Sequence, residues 1–395
     1  MSRPARRLAG GRPEDHAAPD PYAPPVPARE LTAVSADGAR LHVEVHGPVD
    51  DPAAPAVVLA HGWTCSTAFW AAQIRDLAAD HRVVAYDQRG HGRSPAGRRY
   101  GTDVLADDLE AVLAATLGPG EKAVIAGHSM GGMTVMAAAG RPGFQEHAAA
   151  VLLCSTGSSR LVARSTVVPI RAGRPRTWLT RRVLGSRAPL GPVTPLARRI
   201  LKYATMGPGS ASHMVETCAR IVHACPRRVR HAWSQVLDRL DLDDQVRQLT
   251  VPVAVVAGTA DRLTPPGHAR ALAAALPNCL GLTELPGLGH MTPVEAPGLV
   301  TGKIRELVTG HVPGRLTGHV PGQATGHVPG QVTGRATGHV PGQVTGRATG
   351  HVPGQATGHV PGQVTGQATG HVPGQVTGRG SAHEQHDDAG IREGV

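Results

Sequence analysis

Aromatic residues are scarce in this 395-residue chain: four Trp, four Tyr and two Phe, or 3% in all. So few rings leave no stacking platform for unpaired bases, and no helix-turn-helix or zinc-finger spacing stands in for one. No specific nucleic-acid partner is therefore expected, although a formal net charge of +10 permits salt-sensitive sticking to polyanions. Cysteine is equally sparse. Five are scattered at 65, 154, 218, 225 and 279, an odd number with no Cys-x-x-Cys pair. That excludes a disulfide framework and points to reduced, buried or incidental thiols, with no metal centre. Cys218 and Cys225, seven apart, are expected on one helix face in the core. No apolar run reaches membrane-spanning length, and the basic N-terminus lacks the apolar segment of a secretory signal. The expected location is cytoplasmic.

Glycine and proline, by contrast, are abundant at 50 and 34, and they concentrate at the two ends. Residues 1–29 are rich in Pro, Ala and Arg and are expected to be disordered or polyproline-like. From 309 the chain repeats Thr-Gly-His-Val-Pro-Gly, with seven His-Val-Pro-Gly units at intervals of eight or twelve residues. Large apolar residues are almost missing there, so no core can form and residues 309–395 are expected to be a disordered spacer. Flexible histidines offer no fixed ligand geometry for a metal. What remains, 30–308, is large enough for one α/β domain.

Within it, Leu31 to Val45 alternates around Asp37-Gly38, a hairpin signal. Short apolar runs at 56–60, 82–86, 122–126, 148–154, 250–257 and 280–285 read as buried strands. They alternate with amphipathic stretches at 68–79, 102–117, 130–139, 266–276 and 293–308. That rhythm predicts a mostly parallel sheet with helices on both faces. Residues 155–247 break it. They carry helical periodicity and seventeen Arg and Lys against five acids, and they are expected to form an inserted helical lid with a solvated basic surface.

The chemistry centres on Val124-Ile-Ala-Gly-His-Ser129-Met-Gly-Gly132. A strand ends in Gly-x-Ser-x-Gly and a helix begins at once, so Ser129 sits at the apex of a sharp turn. Gly127 and Gly131 are needed where a side chain would clash, and His128 completes the turn. A serine hydroxyl needs a base, and the base needs a carboxylate to hold it. His290 follows the last strand on a Gly-rich loop, and Asp261 follows the strand before it. All three thus leave the carboxyl ends of parallel strands, where sites in open α/β sheets assemble. An oxyanion would be met by the amides of Met130 and of Trp63, the latter on the exit loop after His61-Gly62. Plainer roles are open beside these. Asp261 suits a helix N-cap near Pro265, and Asp241, Asp243 and Asp244 suit a solvated helix face. His61 and His128 fit packing or hydrogen-bonding roles, and Asp87, Arg89 and His91 a braced loop.

Taken jointly, His61-Gly62-Trp63, Asp87 to Ser94, Gly127 to Gly132, Gly258-Thr-Ala-Asp261 and Gly289-His290 resemble the α/β-hydrolase family, lidded type. The resemblance implies Ser129 as nucleophile, His290 as general base and then acid, and Asp261 as its orienting acid. It implies a serine hydrolase acting on an ester or similar acyl compound, and no cofactor; the apolar pocket expected under the lid points to a small, hydrophobic substrate with a medium-sized acyl group. Serine at the elbow sets the chain apart from relatives with haloalkane dehalogenase or epoxide hydrolase chemistry, which use Asp there. Acyl transfer or perhydrolysis would use the same triad, and a non-catalytic binding module is the reading from another class.

Overall fold

The computed structural model describes residues 22–312, so the expectations for most of the N-terminal segment and of the repeat lie outside the described residues. Within them both boundaries move, since Tyr22 is buried with its hydroxyl donating to the Val294 carbonyl (3.1 Å), Arg29 opens the first strand, and the last helix runs on to His311. Eight strands form one sheet in the order β1-β2-β4-β3-β5-β6-β7-β8. β1 (Arg29–Val34) and β2 (Arg40–His46) make the expected hairpin, pairing Arg29 with Val45 and Val34 with Arg40. β2 runs antiparallel to β4 (Arg82–Tyr86); β3 (Ala56–Ala60), β5 (Ala123–His128), β6 (Ala148–Cys154), β7 (Val253–Gly258) and β8 (Cys279–Leu285) extend the sheet in parallel.

The unbroken apolar runs follow from burial on both faces. In β3, Ala56, Val58 and Ala60 enter one core cluster while Val57 and Leu59 enter the other. α2 (Thr102–Thr116) and α3 (Met130–Ala138) cover the first side with Leu105, Leu109, Met133 and Met136. α1 (Ala71–Leu77) and the C-terminal helix cover the second with Ile74, Leu77, Ile304 and Leu307. Burying such a side chain contributes roughly 1.5–3 kcal/mol, so this two-sided core carries most of the fold's stability. β3 lies between β4 and β5, so the chain's winding reverses there. A crevice opens at such a switch point, beyond the strand ends, and ligands bind in it.

Three expectations need correction. The 68–79 helix is a 3-10 turn, Thr67–Trp70, leading into α1. A short helix, α4 (Pro142–His147), precedes β6 where none is expected. The closing helix is two, α12 (Thr292–Glu295) and α13 (Pro297–His311), because Ala296 stands before a proline and takes φ −138° and ψ 61°. The ring of Pro297 disfavours the helical conformation at that residue.

Between β6 and β7 the chain forms six helices: α5 (Leu161–Arg164), α6 (Arg174–Leu184), α7 (Pro195–Thr205), α8 (Ser212–Ala224), α9 (Arg227–Asp238) and α10 (Asp243–Val246). An isolated bridge from Ser159 to Asp241 closes the base of this insertion. Asp241, Asp243 and Asp244 are exposed, as expected, and Asp243 also accepts hydrogen bonds from the Ser158 and Ser159 hydroxyls. Cys218 and Cys225 are buried but do not share a helix face. Cys225 lies past the end of α8 and packs with Val229 and Trp233, while Cys218 faces the other cluster. Burial pushes the Cys225 thiol up to about 12 and raises Cys154 and Cys218 as well, so none of these three is a ready nucleophile. α11 (Gly267–Ala275) lies between β7 and β8.

Candidate active site

Ser129 stands between β5 and α3 with φ 52° and ψ −116°, a conformation that costs a non-glycine residue on the order of 1–3 kcal/mol. The turn is sterically closed around it. A Cβ on Gly127 would lie 2.5 Å from the Gly131 carbonyl oxygen, and one on Gly131 only 2.0 Å from that of Ala60. The Ser129 amide donates to the Cys154 carbonyl (2.9 Å), and the Thr156 hydroxyl donates to the Ser129 carbonyl (2.7 Å). Its own hydroxyl has no hydrogen-bond partner among the described residues, and Ser129 lines a cavity together with His290.

His290 is buried and faces Asp261, its Nδ1 2.7 Å from Oδ2. The other oxygen of Asp261 accepts from the amides of Leu263 (2.8 Å) and Thr264 (2.9 Å). Asp261 is not a helix cap, since α11 begins at Gly267, after Pro266. With Oδ1 held by two amides, Oδ2 is turned toward the imidazole, which donates from Nδ1 and keeps Nε2 as its lone-pair nitrogen. The Thr264 hydroxyl lies 2.8 Å from Oδ2 and 3.1 Å from Nδ1.

The backbone of His290 is fixed as firmly as its ring. Its amide donates to Thr205 at the end of α7 (2.8 Å), and its carbonyl accepts from Nε2 of His128 (2.8 Å). The His128 ring packs 4.9 Å from that of His290 and 4.5 Å from Phe69. Burial, with His290 beside it, holds His128 far below the usual histidine range, so it stays neutral and adds no charge to the pair.

Glu295 gathers this loop from below, and the sequence offered no sign of it. Its buried carboxylate accepts from the amides of Gly289 (3.1 Å) and Met291 (3.1 Å), either side of His290, and from Gly207 (2.7 Å) and the Ser210 hydroxyl (2.6 Å). Glu295→Ala is expected to lower unfolding stability by about 3 kcal/mol, because several buried donors lose a charged acceptor at once. Urea titration measures it. A loss below about 1 kcal/mol would show that water replaces the carboxylate at no great cost.

Trp63 and Met130 stand on neighbouring strand exits, after β3 and β5. Neither amide has an acceptor among the described residues; Met130 opens α3, where a helix offers its own amides no partner. The Trp63 indole donates to the Arg230 carbonyl of α9 (3.1 Å), tying this exit loop to the insertion. The cavity wall is apolar: Met133 of α3, Leu161 of α5, Leu184 of α6 and Leu237 of α9 line it with Trp63.

Asp87, Arg89, His91 and His61 brace the neighbouring loop. Asp87 accepts from the amides of Thr67 (2.8 Å) and Arg93 (2.8 Å), and Arg89 bridges Asp37 (2.6 Å) and Asp108 (2.6 Å). His61 and His91 each accept a backbone amide, from Gln88 (2.9 Å) and Thr64 (3.2 Å). Burial depresses them to about 3 and about 4. The unfolded chain takes up both protons near 6.5 and the folded chain does not, so stability is retained above that pH and lost on acidification toward 4. Each histidine adds a slope of about 1.4 kcal/mol per pH unit in that window. Urea unfolding at pH 5 is expected to give at least roughly 3 kcal/mol less stability than at pH 7, because buried His128 and His268 shift in the same direction; equal midpoints would refute the assignment.

Glu30, His42 and Glu44, on the hairpin, bring possible metal-ligand atoms within 4.8 Å of one another. Their side chains already have partners: Arg93 pairs with Glu30 (2.6 Å), and His42 Nε2 lies within hydrogen-bond distance of Glu44 (3.1 Å).

A sheet wound in opposite directions from β3, with a strained serine turn at the reversal and a histidine–carboxylate pair on the later exits, defines a class of α/β enzyme folds. Residues 55–297 match the family model described as the alpha/beta hydrolase fold, and the chain belongs to that family. Over 96 residues it is 46% identical to a putative carbamate hydrolase, RutD, of Variovorax paradoxus (strain S110), covering 24% of this chain and 34% of that protein. Over 149 residues it is 34% identical to a probable oxidoreductase, EphD, of Mycobacterium tuberculosis (strain ATCC 25618 / H37Rv), covering 37% of this chain and 24% of that one. The matched stretches thus span about a third or less of these relatives. Among solved structures, the esterase RhEst1 from Rhodococcus sp. ECU1013 superposes with a TM-score of 0.55 at 26% identity, covering 71% of this chain and 99% of that one. The enol-lactonase from Burkholderia xenovorans LB400 gives 0.56 at 25%, covering 71% and 100%.

Proposed function

We propose that this protein is a serine hydrolase that cleaves an ester or similar acyl bond of a small, hydrophobic substrate. The observation that carries the reading is the His290–Asp261 pair at 2.7 Å, on the cavity into which the strained Ser129 turn opens. The relatives named as carbamate hydrolase, esterase and enol-lactonase favour the same kind of bond.

In this reading Ser129 Oγ attacks the acyl carbon and its proton passes to Nε2 of His290. Asp261 holds the imidazole in the accepting tautomer and stabilises the imidazolium. The carbonyl oxygen becomes an oxyanion on the amides of Trp63 and Met130, each worth about 2.7–4 kcal/mol at the transition state. His290 returns the proton to the leaving oxygen as the bond to the acyl carbon breaks. Water, deprotonated by His290, then attacks the acyl-enzyme and frees Ser129. The hydroxyl of Ser129 engages His290 when substrate closes the gap, as is common for catalytic hydrogen bonds that are loose in an empty site.

A fluorophosphonate probe tests the reading. One adduct per chain is expected, on the peptide containing Ser129. No labelling at neutral pH would leave only a binding role. Among aryl esters, the apolar wall predicts faster turnover of a medium acyl chain than of acetate.

A further inference from the structure

Large apolar side chains are meant to be covered, yet the insertion turns a set of them outward. Of the strongly exposed large apolar residues described, most fall between 170 and 203. Trp178 is 61% exposed, Leu196 66% and Ile200 60%; what gives exposed apolar residues meaning is their clustering rather than their number. Their spacing is helical. On α7, Leu196, Ile200 and Tyr203 form one outward stripe. On α6, Leu179 and Val183 lie one turn apart beside Trp178.

The charge the two helices themselves carry is of one sign. Arg174, Arg182 and Arg199 are exposed on the same two helices and meet no acidic partner among the described residues, whereas Arg181 and Arg198 are paired with Asp238 and Glu216. α6 and α7 contain no acidic residue at all. A second copy of this chain would set arginine against arginine across the contact, which argues against self-association. Trp and Leu projecting between arginines suit instead a surface that is apolar within and anionic at its boundary.

We propose that α6 and α7 dock this protein on an anionic lipid bilayer, with Trp178, Leu196 and Ile200 entering the acyl boundary and Arg174, Arg182 and Arg199 meeting the headgroups. α6 and α7 are 11 residues each, too short to span a bilayer, so the contact they make is peripheral. Leu184, the last residue of α6, lines the cavity, and Thr205, the last of α7, holds the His290 amide. Docking would therefore bring the cavity to compounds dissolved in the bilayer; this consequence, unlike the docking itself, rests on the hydrolase reading.

The test is co-sedimentation of the full-length protein with vesicles of phosphatidylglycerol and phosphatidylcholine, against vesicles of phosphatidylcholine alone. Binding is expected to the anionic vesicles and to persist in Ser129→Ala, which separates docking from catalysis. The combined change Trp178→Ser, Leu196→Ser and Ile200→Ser keeps every charge and is expected to weaken binding about tenfold or more, with an unchanged circular dichroism spectrum and melting temperature. Should the combined variant melt early, Arg174→Gln with Arg199→Gln supplies the independent arm, with the same expected weakening. Failure of the native protein to bind anionic vesicles would overturn the proposal. So would a correctly folded apolar variant that binds as well as the native chain, since bare positive charge would then suffice. A dimer that the apolar changes dissolve, or full displacement from vesicles by RNA that the apolar variant binds equally, would assign the face to another occupant.

Discussion

Ser129→Ala is expected to lower the turnover of an aryl ester by on the order of a millionfold, as removal of a serine nucleophile does elsewhere, and to abolish fluorophosphonate labelling. The loss should come without loss of fold. The Ser129 hydroxyl has no partner among the described residues, so removing it breaks no hydrogen bond. A companion change sharpens the point. Ser129→Gly removes the same hydroxyl and also relieves the backbone at φ 52°, so it should be as inactive as the alanine variant yet about 1 kcal/mol more stable. Activity from stopped-flow or overnight assays, with urea midpoints for all three proteins, measures both. Retention of substantial ester hydrolysis by the alanine variant would remove Ser129 from the mechanism.

The second large effect is expected at Asp261. Asp261→Asn should lower kcat by roughly 10⁴-fold while leaving substrate binding nearly unchanged. The geometry dictates why. The amides of Leu263 and Thr264 both donate to Oδ1, so the asparagine must place its carbonyl oxygen there. Its NH2 group is then forced toward Nδ1 of His290, which must accept instead of donate. The proton moves to Nε2, and the nitrogen that should receive the serine proton is already occupied. Nitrogen chemical shifts of His290 would report the tautomer directly, and steady-state kinetics the rate. A variant within tenfold of the native rate would mean that another group orients the base, and among the described residues only the Thr264 hydroxyl also reaches Nδ1.

How far the sequence reveals this arrangement depends on the range of each interaction. The elbow is legible because its constraint is local. A serine between a buried strand and a helix needs small residues two positions either side, and glycine supplies them. Asp261 and His290 are legible through a topological rule, since each leaves the end of a strand on the same rim. Glu295 escapes that kind of reading. Its partners Gly207 and Ser210 lie 88 and 85 positions earlier, in an insertion whose periodicity says helix but not which end meets the sheet. For His128 a packing or hydrogen-bonding role is legible, but its partner, the His290 carbonyl (2.8 Å), lies 162 positions away and only the packed structure supplies it. The break at Ala296 was available from Pro297, but apolar periodicity on both sides masked it. Cys225 shows the converse: a spacing of seven suits one helix face only while the helix lasts, and α8 stops at Ala224.

The bond from the His290 amide to Thr205 has a consequence for anyone who would re-engineer substrate choice by swapping segments between family members. The insertion is not a removable cap. Replacing it wholesale would take away Thr205, Gly207 and Ser210, and with them part of the scaffold beneath the imidazole. A chimaera keeping residues 205–210 native, and exchanging only the helices before or after, should retain turnover; one that crosses over inside that hexapeptide should fold around a misplaced base.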